Sequence, residues 1–187
     1  LLDLPPLFKK EKNYRIWEMI SGVFGNIKLF YSPEDEDYTD FQRYIANVIE
    51  VQKNRLGLET REHDSEDEIK LRALVIANSY FCEDKEVNKT LAKMYKDNLG
   101  ELDPEMRQAI MRAKMRETDE KIFPDFLKMY KKEHSPEIKD DLLYVMAGTK
   151  NHNKDLAGLL KKPEVVRPQD HIYLLAFMLR NYYTHKV

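Results

Sequence analysis

The chain has 187 residues, of which 31 are basic and 33 are acidic, so its formal net charge is −2. This balance gives no global attraction to nucleic acid or to anionic membranes, and no apolar run approaches the roughly 18 residues that span a bilayer. The single cysteine, Cys82, excludes an internal disulfide framework and predicts a reducing, cytoplasmic location. The first residues lack the signal-peptide pattern and a starting Met, so we expect a fragment of a longer protein.

Two leading helices are predicted in the first third of the chain. An acidic segment, residues 31–40, separates them and is predicted to be a loop, and a polar connection over residues 56–65 follows the second. Apolar residues recur at steps of three or four, which is the period of one helix face. These residues are Ile16, Trp17, Ile20, Phe24 and Ile27 in the first helix, and Phe41, Tyr44, Ile45 and Val48 in the second.

The remaining helices have clear start signals. Ser65 and Glu68 have the spacing of a capping box, and the helix that follows carries apolar residues as far as Cys82. Asp103 and Ser135 each precede a proline, which predicts an N-cap followed by proline at the first helical position. The apolar residues assigned to the first of these helices are Ile69, Leu74, Ala77 and Phe81.

Two prolines affect where the later helices are predicted to begin or bend. Pro124 predicts either a kinked helix after Thr118 or a helix that begins near Phe123. Pro168 predicts the start of the last helix. The inward positions predicted for that helix are Ile172, Leu175, Ala176, Leu179 and Tyr183.

An internal repeat defines the predicted fold. The string LAKMYK at 91–96 recurs as FLKMYK at 126–131, thirty-five residues later, and the same offset pairs Arg72 with Arg107 and Asp84 with Asp119. Each unit predicts helix, short turn, helix, which is typical of an α-solenoid. Chance alignment of two amphipathic helices is the alternative. From the repeat we predict an all-α solenoid of stacked antiparallel helical hairpins, HEAT-like or armadillo-like. It forms a single domain over 1–187, with irregular leading helices at 1–64 and repeat units at 65–187.

The sequence predicts no catalytic and no metal-binding residues in this chain. None of the histidines forms the HExxH pair that directs two imidazoles to zinc, and surface or capping roles are predicted for them. Cys82 lies on an apolar helix face and is predicted to be a small buried hydrophobe. The five histidines are His63, His134, His152, His171 and His185.

Stacked repeats would align several lysines into a basic stripe, with Tyr95 and Tyr130 beside it. One interpretation is a surface for acidic peptide or nucleic acid. The favoured interpretation is a solvated helix face whose lysine stems cover apolar surface. The lysines are Lys93, Lys96, Lys128, Lys131 and Lys132.

Three segments resemble the helical C-terminal region of zinc aminopeptidases of the aminopeptidase N type. LRALVIANSYFCEDKEV at 71–87 is similar to one helix pair of that family, and residues 116–161 resemble the next units. VRPQDHIYLLAFMLRNYYTHKV at 166–187 resembles the segment that shortly precedes the closing tryptophan-rich helices of the family.

The resemblance implies a HEAT-like superhelix that covers the catalytic domain of the same parent chain and encloses the chamber where peptide substrates lie. It implies that the zinc motif and the Gly-x-Met-Glu-Asn loop of the parent lie N-terminal to this chain, so no zinc ligand or general base is carried over. Nucleic acid and membrane are not expected partners. The residues that match the most recognisable segment, and that are predicted to line the chamber, are Arg167, Gln169, Asp170 and Arg180. For Gln169 and Asp170 the alternative is that they cap the first turn of the helix.

Two other functions stay open from the sequence. A free-standing helical-repeat scaffold would bind a protein partner through its concave face. An RNA-binding solenoid would use the lysine stripe and lose affinity steeply with salt.

Overall fold

The computed structural model describes residues 2–184 and confirms the predicted all-α class. Within these residues there are eight α-helices and no strand. Short 3-10 turns at Pro5–Phe8, Lys28–Phe30 and Leu99–Glu101 join some of them. The helices are α1 (Tyr14–Ile27), α2 (Glu36–Leu56), α3 (Glu66–Phe81), α4 (Lys85–Lys93), α5 (Pro104–Lys132), α6 (Pro136–Met146), α7 (Asn153–Leu159) and α8 (Pro168–Leu179).

The chain divides into two compact units, residues 1–91 and 92–187. The first unit has a core formed by α1, α2 and α3, in which Trp17 is fully buried and donates its indole N–H to the carbonyl of Glu11 at 2.8 Å. Its buried apolar residues are Trp17, Ile20, Phe24, Phe41, Ile45, Val48, Ile49, Leu56, Leu71 and Val75. The predicted inward faces of α1 and α2 are therefore confirmed.

The start of α2 differs from the prediction. The helix begins at Glu36, so the second half of the acidic segment 31–40 is helical. Glu36 and Asp37 occupy the first turn, where carboxylates interact favourably with the positive end of the helix dipole. The acidic run that suggested a loop is thus a favourable helix start.

The beginning of α3 has the predicted capping box. The Ser65 hydroxyl accepts the backbone N–H of Glu68, and the Glu68 carboxylate accepts the backbone N–H of Ser65. Two backbone donors that the helix leaves unpaired are satisfied in this way.

The buried face of α3 differs from the prediction, because Arg72 belongs to it. Arg72 is 1% exposed; its Nε donates to the carbonyl of Leu56 at 3.2 Å and its Nη2 to Asp64 at 2.5 Å. Ala77, which was predicted to face inward, is exposed. A paired arginine therefore occupies a core position that hydrophobicity alone would assign to the surface. The buried residues of α3 are Leu71, Arg72, Val75, Ile76 and Ser79.

In the second unit, α5 is broken at Thr118 and not at Pro124. Thr118 has φ −144° and ψ 43°, outside the helical region, and its hydroxyl donates to the carbonyl of Lys114 at 3.2 Å. The next residue, Asp119, accepts the backbone N–H groups of Lys150 and Asn151 at 2.9 and 3.0 Å. The break is therefore fixed by bonds to a distant loop, and Pro124 lies inside the helical segment that follows.

The structure places the same pattern at both copies of the 35-residue repeat. Helix α3 ends near Glu83, whose φ is 58°, and α4 follows; thirty-five residues later Thr118 separates the two parts of α5. Arg107 repeats the bond of Arg72, since its Nε donates to the carbonyl of Leu99 at 3.2 Å. A helix, a break and a helix therefore recur at the predicted offset.

The three helices that begin with proline are evenly spaced. Pro104, Pro136 and Pro168 open α5, α6 and α8, so successive starts are 32 residues apart. The predicted N-caps are confirmed: the Asp103 carboxylate accepts the N–H of Glu105, and the Ser135 hydroxyl accepts the N–H of Ile138. Helix α5 packs against α6, and α6 packs against α8.

The predicted inward face of α8 is wrong for Ile172, Leu175 and Leu179, whereas Ala176 and Tyr183 are half-buried. The buried residues of α8 are Asp170, Leu174 and Met178. Among the residues predicted to face inward, Ile172 is 70% exposed, Leu175 is 45% exposed and Leu179 is 62% exposed. Because α8 is apolar on two sides, periodicity could not decide which side packs against α6.

We predict that Ser65→Ala lowers the free energy of unfolding by about 1 kcal/mol, since it leaves an N-terminal backbone donor of α3 without its acceptor. Urea denaturation followed by far-UV circular dichroism measures the change. Ser65→Asp, which keeps an oxygen acceptor at the cap, is the matched control and should stay close to the parent. Equal stability of the alanine and aspartate variants would contradict the role of the cap.

Candidate functional site

The four residues predicted to line a substrate chamber do not form one site. Arg167 precedes α8 and binds Asp170 through two hydrogen bonds, Nε to Oδ2 at 2.6 Å and Nη2 to Oδ1 at 3.0 Å. Gln169 is exposed in the first turn of α8. Arg180 is exposed at the other end of the helix, about 18 Å away at 1.5 Å per residue. The structure thus unites Arg167 with Asp170 and separates them from Arg180.

Asp170 is the centre of a buried polar cluster. It is 2% exposed and accepts the hydroxyl of Tyr130 at 3.1 Å in addition to the two bonds from Arg167. Burial raises the pKa of Tyr130 to about 12, and the charge of Asp170 adds to the effect. The hydrogen bond to Asp170 raises the pKa of Arg167. These bonds tie the end of α5 to the start of α8.

A second buried cluster joins α5 to α6. Arg107 is 4% exposed, and its Nη1 donates to Asp141 and to Glu137, both at 2.9 Å. Gln108 donates to the other oxygen of Asp141 at 2.7 Å. Burial opposes the charge of Arg107, but the hydrogen bonds that it donates to Asp141 and Glu137 outweigh this effect and raise the pKa of the guanidinium. The cluster ties α5 to α6, with Arg107 and Asp141 buried and the Glu137 side chain 67% exposed.

The sequence did not lead us to predict that Arg72 and Arg107 are buried and paired with acidic residues. The signal that could have found them was present, since Arg72 and Arg107 recur at the 35-residue offset on otherwise apolar helix faces. A charged residue repeated at a core position indicates a buried pair, because such a residue is buried only with a partner.

The five lysines of the predicted stripe are exposed, but the tyrosines beside them are not available to nucleic acid. Tyr130 is fully buried, and the ring of Tyr95 packs against Phe126 with centroids 6.0 Å apart. Lys128 pairs with Asp125 at 3.0 Å, which reduces the local positive charge. These contacts favour the solvated helix face over base stacking, which needs exposed rings.

The thiol of Cys82 is not an activated nucleophile. Burial, together with a smaller contribution from the charge of Asp84, raises the pKa of the Cys82 thiol to about 12. A nucleophilic cysteine needs the opposite shift, because the thiolate is the reactive form. The predicted role as a small packed hydrophobe is therefore favoured.

The histidines occupy positions that suit packing and helix ends. His152 is the N-cap residue of α7, stacks on Phe123 with ring centroids 4.5 Å apart, and has its Nδ1 3.1 Å from Asp155. His63 and His134 are exposed, and His171 lies in the first turn of α8. The prediction for His185 falls outside the described residues.

The zinc that the resemblance implies has no suitable ligands in this part of the chain. Across residues 2–184, no group of three or more His, Cys, Asp or Glu side chains is placed so that it could hold a metal ion. None of the described helices is both long and apolar enough to cross a membrane.

This chain is similar to one protein family over its full length and to several known proteins. A model of the ERAP1-like C-terminal domain family matches residues 1–187. The chain is 22% identical to an aminopeptidase N from Lactococcus lactis, over 97% of this chain and 22% of that protein. It is 28% identical to aminopeptidase 2 from Candida albicans, over 93% of this chain and 20% of that protein. The chain therefore spans about a fifth of the length of these relatives.

This chain belongs to the ERAP1-like C-terminal domain family. The family match and the relatives named aminopeptidase N and aminopeptidase 2 confirm the resemblance to the C-terminal region of the aminopeptidase N family.

We predict that Cys82 in the folded chain reacts with a disulfide reagent at pH 8 at least about a hundredfold more slowly than in the urea-unfolded chain, because burial keeps the thiol protonated. The folded pKa of about 12 exceeds the ordinary value of 9.0, so the thiol stabilises the fold below pH 9 and this contribution is lost as the pH rises towards 12.

Stopped-flow absorbance measures the reaction of Cys82 in both states, and urea denaturation between pH 8 and 11 measures the stability. Cys82→Ala is the control and should show a weaker alkaline loss. Equal reaction rates in the folded and unfolded chains would contradict the assignment.

Proposed function

We propose that this chain is the non-catalytic C-terminal domain of a zinc aminopeptidase, in which it forms a HEAT-like superhelix that caps the active site and shapes the peptide chamber. The supporting observation is the family match over residues 1–187, together with relatives named aminopeptidases that are about five times as long as this chain. The catalytic domain of the same polypeptide is the proposed partner, peptides are the proposed substrates, and the cytoplasm is the proposed location.

The arrangement of polar groups supports a role without chemistry in this chain. The buried charges of Arg107 and Asp141 are bonded to each other, and the buried Asp170 is bonded to Arg167. Proton transfer and nucleophilic attack need a group that reaches the substrate. The zinc and the catalytic groups of the proposed enzyme would therefore come from the rest of the longer protein.

Repeated helical hairpins suit the proposed chamber. A superhelix of such units has an extended concave surface and can flex between neighbours, and a closing cap excludes water and oversized substrates. The exposed Arg180 could pair with the C-terminal carboxylate of a peptide through charge-assisted hydrogen bonds.

A protein-binding scaffold is the second candidate function. It is favoured by large apolar side chains on the surface of the first unit, where Leu7 is 77% exposed, Met19 73% and Phe30 87%. Exposed apolar groups of this size are typical of interaction surfaces. The RNA-binding alternative has no such support, because Tyr130 is buried.

We predict that Arg180→Ala in the full-length protein lowers kcat/KM for a longer peptide about tenfold, as expected for loss of a charge-assisted hydrogen bond. Hydrolysis of a single-residue chromogenic amide, which has no C-terminal carboxylate, should be unchanged. Steady-state kinetics with both substrates measure the difference, and Lys161→Ala, at another exposed basic position, is the matched control.

Two outcomes would count against the proposal. If neither substrate is hydrolysed by the unaltered full-length protein, the aminopeptidase assignment falls and the scaffold remains. If Arg180→Ala and Lys161→Ala behave alike with both substrates, Arg180 does not line the chamber.

A further inference from the structure

An open pocket of about 250 Å³ lies beside the second part of α5, within the second unit. Its apolar lining comes from Ile122 and Met129, which are two turns apart on α5, and from Tyr95 in the connection that follows α4. Two carboxylates, those of Asp97 and Asp125, also line the pocket. Apolar walls with a few polar groups are typical of sites for small ligands.

The hydroxyl of Tyr95 has only a weak partner in this pocket. Among residues 2–184, this hydroxyl donates to the sulfur of Met129, at 3.9 Å. A thioether is a weak acceptor, and the phenol oxygen keeps its own lone pairs for a donor from a ligand. Burial raises the pKa of Tyr95 to about 12, and the charges of Asp97 and Asp125 contribute to the shift. Both carboxylates therefore lie close enough to act on this hydroxyl.

The second copy of the 35-residue repeat contains a related set of groups that is complete. Tyr130, the counterpart of Tyr95, donates its hydroxyl to Asp170 at 3.1 Å. Arg167 adds a cation, since its guanidinium donates two hydrogen bonds to Asp170, at 2.6 and 3.0 Å. The charge of Arg167 partly offsets the effect of Asp170 on the pKa of Tyr130. A tyrosine hydroxyl, a carboxylate and a cation therefore belong to one cluster in this copy.

In the first copy, the nearby cations are lysines on the surface. Lys128 pairs with Asp125 at 3.0 Å, but both side chains are more than half exposed, so water screens the pair and it contributes little. Asp97 is exposed and forms no ion pair within the described part of the chain. Lys132 lines the pocket two turns beyond Asp125, where it would repel a second positive charge. The carboxylate end of the pocket is therefore suited to a single cation from a ligand.

We propose that this pocket binds one ammonium or guanidinium group on an apolar stem, as carried by a lysine or arginine side chain. The charged group bonds to the carboxylates of Asp97 and Asp125 and donates to the hydroxyl oxygen of Tyr95. The stem packs on Ile122 and Met129. Charge-assisted hydrogen bonds of this kind are the strong ones, so the charge decides which ligands bind. This inference does not depend on the proposed role in peptide hydrolysis.

Nuclear magnetic resonance of the full-length protein, labelled with ¹³C at the methionine methyl groups, tests the proposal. The resonance of Met129 reports binding at this pocket and is assigned from Met129→Leu. Nα-acetyl-lysine amide and Nα-acetyl-arginine amide should each shift this resonance in a saturable manner. Nα-acetyl-norleucine amide, which has the apolar stem of lysine without its charge, should bind with a Kd at least about tenfold higher.

Two results of this titration would overturn the proposal. The first is an equal Kd for the norleucine and lysine amides, because the carboxylates would then play no part. The second is an unmoved Met129 resonance with both charged probes up to about 10 mM, since the pocket would then bind neither group.

Substitutions in the pocket assign the binding to named groups. Asp97→Asn removes one carboxylate at an exposed position and should raise the Kd for Nα-acetyl-lysine amide about tenfold. Tyr95→Phe, which removes the hydroxyl acceptor, should raise it about threefold. Glu164→Gln changes an exposed carboxylate outside the pocket and is the matched control, with an unchanged Kd. The same Kd for Asp97→Asn and Glu164→Gln would contradict the assignment.

Hexylamine distinguishes a free amine from a side chain as the source of the charged group. It has an ammonium group and an apolar stem but no peptide bonds. A Kd equal to that of Nα-acetyl-lysine amide would support a free amine as the ligand, and a clearly higher Kd would support the side chain of a peptide.

Discussion

A buried guanidinium must be surrounded by acceptors, and this requirement governs how α5 and α6 pack. Arg107 is 4% exposed and donates hydrogen bonds to the backbone carbonyl of Leu99 and to the carboxylates of Asp141 and Glu137. Removing one partner of a buried ion pair costs about 3–5 kcal/mol because the other charge is left without compensation. A sliding of α6 along α5 by one turn would have that effect, so the pair sets the alignment of the two helices as well as contributing to their contact.

The same requirement applies to the buried charged groups of α8 and of the first unit. Asp170 is held by Arg167 and Tyr130, and Arg72 in the first unit is held by Asp64 and a backbone carbonyl. Groups paired in this way align helices. Within the ERAP1-like C-terminal domain family, this suits a chain whose proposed task is to present a surface to peptides.

The sequence predicted features whose causes are local. The N-caps at Ser65 and Asp103 were predictable because each depends on a side-chain hydrogen bond within one turn. The buried face of α1 that contains Trp17 was predictable from the helical period. The repeat predicted a break at the 35-residue offset, but the bonds that fix it at Thr118 were not predictable, because Asp119 is held by a loop about thirty residues away. The face of α8 that packs could not be chosen either, since both sides of that helix are apolar. Which residues line the proposed peptide chamber depends on the rest of the longer protein, so local sequence rules cannot identify them.

A double-mutant cycle on Arg107 and Asp141 tests most directly whether their pairing sets the alignment. Arg107→Met, Asp141→Leu and the double variant are compared by urea denaturation of the chain. The account predicts that each single change lowers the free energy of unfolding by about 3 kcal/mol, and that the double variant loses less than the sum by about 2 kcal/mol or more. Strictly additive losses would contradict it, because the two residues would then contribute independently and the pair would not hold α5 against α6.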